Sequence, residues 1–110
     1  MSGNMNDLLR QATRMQKDMK RVGDELRERF VEAEAGGGLV EVVFNGQQEL
    51  MKIALNPKVF GDKVDSDDLE AIEDLIVVAI SQGLEKSRAL MKEEMDKATG
   101  GLSGALPGMF

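Results

Sequence analysis

The sequence predicts an α+β protein with a long N-terminal helix, a three-stranded antiparallel sheet and a long C-terminal helix. No proline interrupts the first 30 residues, apolar residues alternate between 31 and 55, and helical spacing returns after 65. A chain of 110 residues is expected to fold as one domain with a modest core. Such a core favours a homodimer, because a second copy can bury apolar surface that one copy leaves exposed.

The first helix is predicted to span residues 5–30 and to be amphipathic. Its apolar residues recur at alternating spacings of three and four, the pattern of a heptad seam. This seam consists of Met5, Leu8, Ala12, Met15, Met19, Val22 and Leu26. One side of the helix therefore needs a packing partner.

Basic residues occupy the opposite side of this helix. At ~100° per residue, four of them lie within about a sixth of a turn of one another. We call this set the basic stripe: Arg10, Arg14, Lys17 and Arg21. The first 30 residues carry seven basic and five acidic groups, in a chain whose net charge is −6. The stripe is either an anion-binding surface or an ordinary solvated helix face.

Three short strands are predicted after the first helix. Residues 31–35 alternate apolar and acidic side chains, and Asn45-Gly46 is typical of a hairpin because both residues tolerate positive φ. Two alternating sets define the inner faces of the second and third strands: Val40, Val42 and Phe44, then Met51, Ile53 and Leu55. The economical arrangement is an antiparallel meander.

The second helix is predicted to begin at a cap formed by Asp65 or Ser66. Its main apolar face should cover the sheet and comprises Leu69, Ile72, Ile76, Ala79, Ile80, Leu84, Leu90 and Met91. A second apolar set points elsewhere on the helix: Ala71, Leu75 and Val78. A small two-layer monomer cannot hide both sets, so the second set is expected to form the dimer contact.

The chain is expected to divide into one domain, residues 1–98, and a flexible glycine-rich tail, residues 99–110. Five of the tail residues are glycine or proline, a composition typical of mobile termini. Its apolar residues offer an alternative, docking on a partner: Leu102, Leu106, Met109 and Phe110.

The composition argues against an enzyme. The chain has no His and no Cys, so it lacks a thiolate nucleophile, an imidazole base and the usual zinc ligands. Gly36-Gly37-Gly38 is followed by no Walker-type lysine, and the acidic run 65–70 lacks the glycine of a calcium loop. We therefore predict no catalytic residue, cofactor or metal. The absence of cysteine and of a long apolar run predicts a cytoplasmic protein with no membrane association.

Several segments resemble the YbaB/EbfC family of nucleoid-associated proteins. They are residues 35–46, residues 69–80, residues 11–16, and the two tail segments 99–102 and 106–110. The resemblance implies a small bacterial protein of the cytoplasm and nucleoid, with paired helices that project from a homodimer like tweezers and bind DNA. By this resemblance the DNA contacts fall on the projecting helices, here Arg10, Arg14, Lys17, Lys20 and Arg21.

Two functional hypotheses follow. In the first, the stripe contacts phosphates of double-stranded DNA, since only four aromatic residues, all Phe, are present to stack on single-stranded bases. In the second, the projecting helices hold a client protein, as an adaptor or holdase does. A salt-dependent shift of duplex DNA would favour the first hypothesis, and DNA-independent capture of a protein would favour the second.

Overall fold

The computed structural model describes residues 3–59, 61 and 64–100 of the chain. Helix α1 spans Gly3–Leu26, and strands β1, β2 and β3 span Phe30–Ala35, Val40–Asn45 and Leu50–Leu55. A short 3-10 helix, Pro57–Val59, precedes helix α2, Ser66–Thr99. This order confirms the predicted α+β fold, but the first helix was predicted to end at residue 30 and ends at Leu26, so that Phe30 belongs to β1.

The three strands form one antiparallel sheet in the order β1-β2-β3. Its inner face pairs Ala33 with Val42 and Ala35 with Val40, and continues into β3 where Val42 pairs with Ile53. A register shift follows, because Val43 pairs with Lys52 whereas Phe44 pairs with Leu50. Met51 is the extra residue of this bulge, so its predicted place in the alternation with Ile53 and Leu55 is wrong.

Helix α2 packs on β1 and β2 through a line of small residues. Ala79, Gly83 and Ser87 are all buried. A Cβ atom at Gly83 would lie 2.6 and 2.7 Å from two ring carbons of Phe44 and 3.0 Å from a methyl carbon of Val42. The buried line therefore runs through Gly83 and Ser87, which the prediction omitted, while the predicted Leu69 is 48% exposed.

A second apolar cluster joins the C-terminal parts of the two helices. It contains Val22 and Leu26 of α1 and Met95 of α2, with Met19, Leu90, Met91 and Ala98 packed around them. Only the last part of the predicted seam is thus covered, because Met5 is 66% and Leu8 is 61% exposed. The protein is accordingly elongated, with extents of 77 × 23 × 17 Å.

Both ends of α2 are capped. At the N-terminus, Asp65 and Asp68 form a capping box in which each side chain accepts a hydrogen bond from the other residue's backbone N–H. At the C-terminus, Gly100 adopts a left-handed conformation with φ of 63°. Thr99, expected to begin the tail, is buried in the last turn of α2, and residues 101–110 lie outside the described residues.

An ion pair ties the segment after α1 to α2. The guanidinium of Arg29 lies 3.0 Å from a carboxylate oxygen of Glu94, which Lys97 approaches at 3.4 Å. The hydrogen bond from Arg29 lowers the pKa of Glu94 below its ordinary value, and the nearby charge of Lys97 adds to this effect.

Replacing Gly83 with alanine should destabilise the fold. Alanine gains about 1 kcal/mol in helix propensity over glycine, but its methyl group would overlap the buried ring of Phe44, and overpacking of this kind costs about 1–3 kcal/mol. Because the approach to the ring is as short as 2.6 Å, we expect a cost near the upper end of this range, so urea denaturation should show a net loss of up to about 2 kcal/mol. The exposed neighbour Gln82 provides the control, since Gln82→Ala should leave the transition nearly unchanged. A Gly83→Ala variant as stable as the control would contradict the close approach of helix and sheet.

The ion pair at Glu94 should make a pH-dependent contribution to stability. Because the folded pKa is lowered, this contribution is present above the ordinary pKa of a glutamate and is lost as pH falls through the lowered pKa. We expect a carboxyl-carbon NMR titration to show the Glu94 midpoint moving upward in Arg29→Met. An unmoved midpoint would show that Arg29 is not the main cause.

Candidate nucleic-acid interface

Among the described residues, the N-terminal part of α1 extends beyond the cluster that joins the two helices. Every side chain from Asn4 to Arg14 is exposed, and helix α1 meets α2 only from Met19 onward in the cluster described above. Between residues 4 and 26 there is no proline, and Gly23 is the only glycine, so the helix continues without a break. We call residues 3–17 the arm.

Three members of the basic stripe lie on the arm, and we call them the distal cations: Arg10, Arg14 and Lys17. All three side chains are exposed, and none forms an ion pair with another described residue. Together with Leu9 and Thr13 they line a shallow surface depression of about 450 Å³. The arm therefore offers three uncommitted positive charges side by side.

The fourth member of the stripe, Arg21, and the neighbouring Lys20 are engaged by carboxylates of the same helix. Lys20 lies 3.9 Å from Asp24, and Arg21 lies 3.0 Å from Glu25 and 3.8 Å from Asp18. These exposed pairs are weak, but they partly neutralise Arg21. The stripe thus consists of a free distal part and a paired proximal part.

The cations of α2 are mostly engaged as well. The ammonium of Lys86 donates to the backbone oxygen of Glu32 at 2.8 Å, and Arg88 donates to the side chain of Gln48 at 3.3 Å. Lys97 pairs with Glu93 and Glu94. These residues are poorer phosphate ligands than the distal cations, because binding would compete with existing contacts.

The outer face of the sheet is acidic. Glu34 pairs with Glu41 across the strands, and Glu32 pairs with Val43 on the same face. A depression of about 420 Å³ lies here, with Lys52 and Lys86 at its border. This face repels a polyanion, which leaves the arm as the surface suited to one.

The predicted dimer residues differ in exposure. Ala71 is exposed and Val78 is 45% exposed, as expected of residues turned away from the sheet. Leu75 instead packs against the core of the monomer, so its predicted orientation is wrong. The side chain of Leu75 lies against Gly36, where a Cβ atom would be 2.8 Å from one of its methyl carbons.

Sequence reasoning overlooked the ion pairs within the stripe. Asp18 and Glu25 stand three residues before and four residues after Arg21, and such spacings bring helix side chains together. The same rule was available for Lys20 and Asp24. The contacts of Lys86 and Arg88 to the sheet depend on tertiary structure and had no local signal.

Neither helix, over the part of the chain that the structure describes, has a stretch that is both long enough and apolar enough to cross a membrane. Among the described residues, no three carboxylates are grouped so as to hold a metal ion.

Comparisons with known proteins agree with the family resemblance of the sequence. The chain is 46% identical to a nucleoid-associated protein of Acetivibrio thermocellus, an alignment covering 98% of this chain and 91% of that one. It is 43% identical to a nucleoid-associated protein of Desulforamulus reducens, covering 100% and 99% of the two chains. A crystal structure of an uncharacterized protein from Helicobacter pylori shares the fold, with a TM-score of 0.59, 23% identity, and coverage of 72% and 87%.

The profile of one family matches residues 1–102, which is nearly the entire chain and includes the arm, the sheet and α2. This match and the relatives of 43–46% identity show that the chain belongs to the YbaB/EbfC DNA-binding family.

Proposed function

We propose that this protein is a nucleoid-associated protein that binds double-stranded DNA through phosphate contacts from the arm. The observation that carries the proposal is the set of distal cations, Arg10, Arg14 and Lys17, which are exposed on a projecting helix and form no ion pair within the described part of the chain. Family membership and the names of the relatives support DNA as the partner and the nucleoid as the location. This role requires no catalytic group and no cofactor.

The binding mode follows from the charge distribution. Guanidinium and ammonium groups release counterions from phosphates whatever the base sequence, so the affinity should fall steeply with salt and depend little on sequence. The acidic sheet face opposes close approach of DNA to the body of the protein. Contacts are therefore limited to the arm, and two arms would hold the duplex better than one.

A homodimer would supply the second arm. Helix α2 leaves Val77 and Val78 exposed, and on β3 the inner-face residues Leu50 and Ile53 are each 42% exposed. These apolar side chains have no covering layer among the described residues, and β3 is an open sheet edge. We propose that a second copy covers them, with Ala71 and Val78 in the contact and Leu75 beneath it.

The salt dependence of duplex binding tests the proposal. Three distal cations in each of two copies give up to about six phosphate contacts, so the slope of log K against log salt should approach about −5. The triple variant Arg10→Gln, Arg14→Gln, Lys17→Gln should lose most of the affinity and flatten the slope. Its helix content should stay unchanged, because these side chains contact nothing that the fold needs.

A matched control separates local contacts from overall charge. The variant Lys52→Gln, Lys58→Gln, Lys92→Gln removes three exposed positive charges elsewhere on the chain. It should bind DNA only slightly more weakly than the wild type. Equal losses in the two triple variants would show that net charge, and not the arm, governs binding.

Light scattering tests the dimer. The wild type should show twice the mass of one chain, and Val78→Asp should dissociate because the aspartate would place an unpaired charge in a dry contact. Ser66→Asp, at an exposed position in the first turn of the same helix and remote from Val78, is the control and should remain dimeric. A wild type that is monomeric at micromolar concentration would remove the dimer from the proposal.

A protein-binding adaptor is the second candidate. The observation in its favour is the uncovered seam of the arm, where Met5 and Leu8 are mostly exposed and Leu9 is 59% exposed. An arm that holds a client through this seam should tolerate loss of the distal cations. Duplex binding by the wild type that disappears in the arm variant decides against the adaptor.

A further inference from the structure

The turn between β2 and β3 lies between the two helices and is bonded to both. We propose that this turn, residues 45–49, fixes the direction of the arm, and that Gln47 and Ser87 are positioning residues for DNA binding. The consequence for DNA rests on the function proposed above, whereas the mechanical role of the turn does not.

The turn caps the C-terminal end of α1. The backbone N–H of Gly46 donates to the oxygens of Leu26 and Arg29, at 2.8 Å in each case, and the side-chain amide of Gln47 donates to the oxygen of Gly23. The last carbonyls of a helix have no partner within the helix, so these bonds satisfy groups that α1 itself cannot. A Cβ atom at Gly46 would lie 2.7 Å from the Leu26 oxygen, which shows how closely the turn fits the helix end.

The same turn is held to α2 by one buried hydroxyl. Ser87 is fully buried, and its Oγ donates to the backbone oxygen of Asn45 at 2.7 Å. It also accepts from the backbone N–H of Gln48 at 2.8 Å. Gln48 has a φ of 64°, and its side chain contacts Arg88 and Met91 of α2. The turn thus cannot move without α2.

Internal hydrogen bonds make the turn a rigid block. The side-chain oxygen of Asn45 accepts from the backbone N–H groups of Gln47 and Glu49, at 2.9 and 3.1 Å. Its side-chain nitrogen donates to the Glu49 carboxylate at 2.9 Å, and Asn45 is itself buried. Force on the end of α1 is therefore transmitted through this block to α2.

The arm amplifies any movement at this block. Arg10 lies 13 residues before Gly23, or about 20 Å along the helix at about 1.5 Å per residue. A tilt of about 10° at the base would displace Arg10 by about 3 Å, the length of a charge-assisted hydrogen bond. The arm is also supported by the apolar cluster around Val22. Apolar contacts resist separation of the two helices, but they are non-directional and hold the angle between the helices less firmly than hydrogen bonds do.

The variant Gln47→Met tests the mechanical role, because methionine keeps the length of the side chain and removes the donor. Gln82→Met makes the same change at an exposed position and is the control. The chain has no native cysteine, so spin labels at Gln16→Cys on the arm and Glu85→Cys on α2 are unique. Labelled protein diluted with an excess of unlabelled protein reports the distance within one chain by pulsed electron paramagnetic resonance.

We expect Gln47→Met to broaden the distance distribution while circular dichroism stays unchanged, and Gln82→Met to keep it narrow. We expect Ser87→Ala, which cuts the link to α2 instead, to broaden it as well. Distributions as narrow as that of the wild type in both variants would overturn the proposal, since a merely stabilising role would leave the folded geometry intact.

Duplex titration tests the consequence for binding. Gln47→Met should bind DNA about threefold to tenfold more weakly, the range expected when one element loses preorganisation, with an unchanged salt slope because the same cations engage. Unchanged affinity beside a broadened distribution would overturn the positioning role. A wild type that does not bind duplex DNA would overturn the proposed function, and the distance measurement would still decide the mechanical role.

Discussion

The close packing of α2 against β2 at Gly83 is the constraint on which the rest of the structure depends. Because no side chain separates the helix from Phe44, the axis of α2 lies close to the sheet. One turn further, Ser87 then reaches the backbone of the β2–β3 turn, and two turns beyond that Met95 reaches α1. A larger residue at position 83 would lift the helix and weaken both later contacts.

The arm allows an acidic protein of a DNA-binding family to present positive charges at a distance from most of its carboxylates. The net charge is −6, and the outer face of the sheet carries several of the carboxylates. Arg10 lies about 20 Å along the helix from Gly23, where α1 is bonded to the β2–β3 turn; this is more than two Debye lengths at physiological salt, where a Debye length is about 8 Å. Distance and screening together separate Arg10, the outermost of the distal cations, from the acidic body. The charge of the whole chain is thus a poor guide to the potential that a ligand meets at the arm.

The fold was largely predictable from local pattern. Heptad spacing predicted α1, and the sequence predicted a cap of α2 at Asp65 or Ser66, of which Asp65 forms it. The Asn45-Gly46 pair predicted the hairpin, although the positive φ of its turn falls at Gln48. The errors arose where tertiary contacts decide the outcome. Gly83 and Ser87 are buried although neither is apolar by type, and the bulge at Met51 has no local signature.

The position of the candidate site on α1 was predictable, but its division into paired and unpaired cations was not. The phase of the helix placed four basic residues on one face, whereas the pairing of Arg21 with Glu25 leaves three without an ion pair among the described residues. The capping of α1 by the turn was beyond sequence reasoning, since Gly23 and Gln47 lie 24 residues apart. Because the heptad seam of α1 is uniform, the sequence also gave no indication of where along this seam the contact with α2 would end.

The buried residues of α2 wind around the helix. Ala79, Gly83, Ser87, Met95 and Thr99 are separated by multiples of four, and each step of four advances the buried direction by about 40°. The first half of α2 thus faces the sheet and the second half faces α1, so the number of residues between Gly83 and Met95 sets the side of α2 on which α1 packs. One inserted residue would rotate that side about the helix axis by about 100°, whereas seven would return it to within about 20° and lengthen α2 by about 10 Å. The length of α2 can therefore change in steps of seven residues while α1 packs on nearly the same side of it.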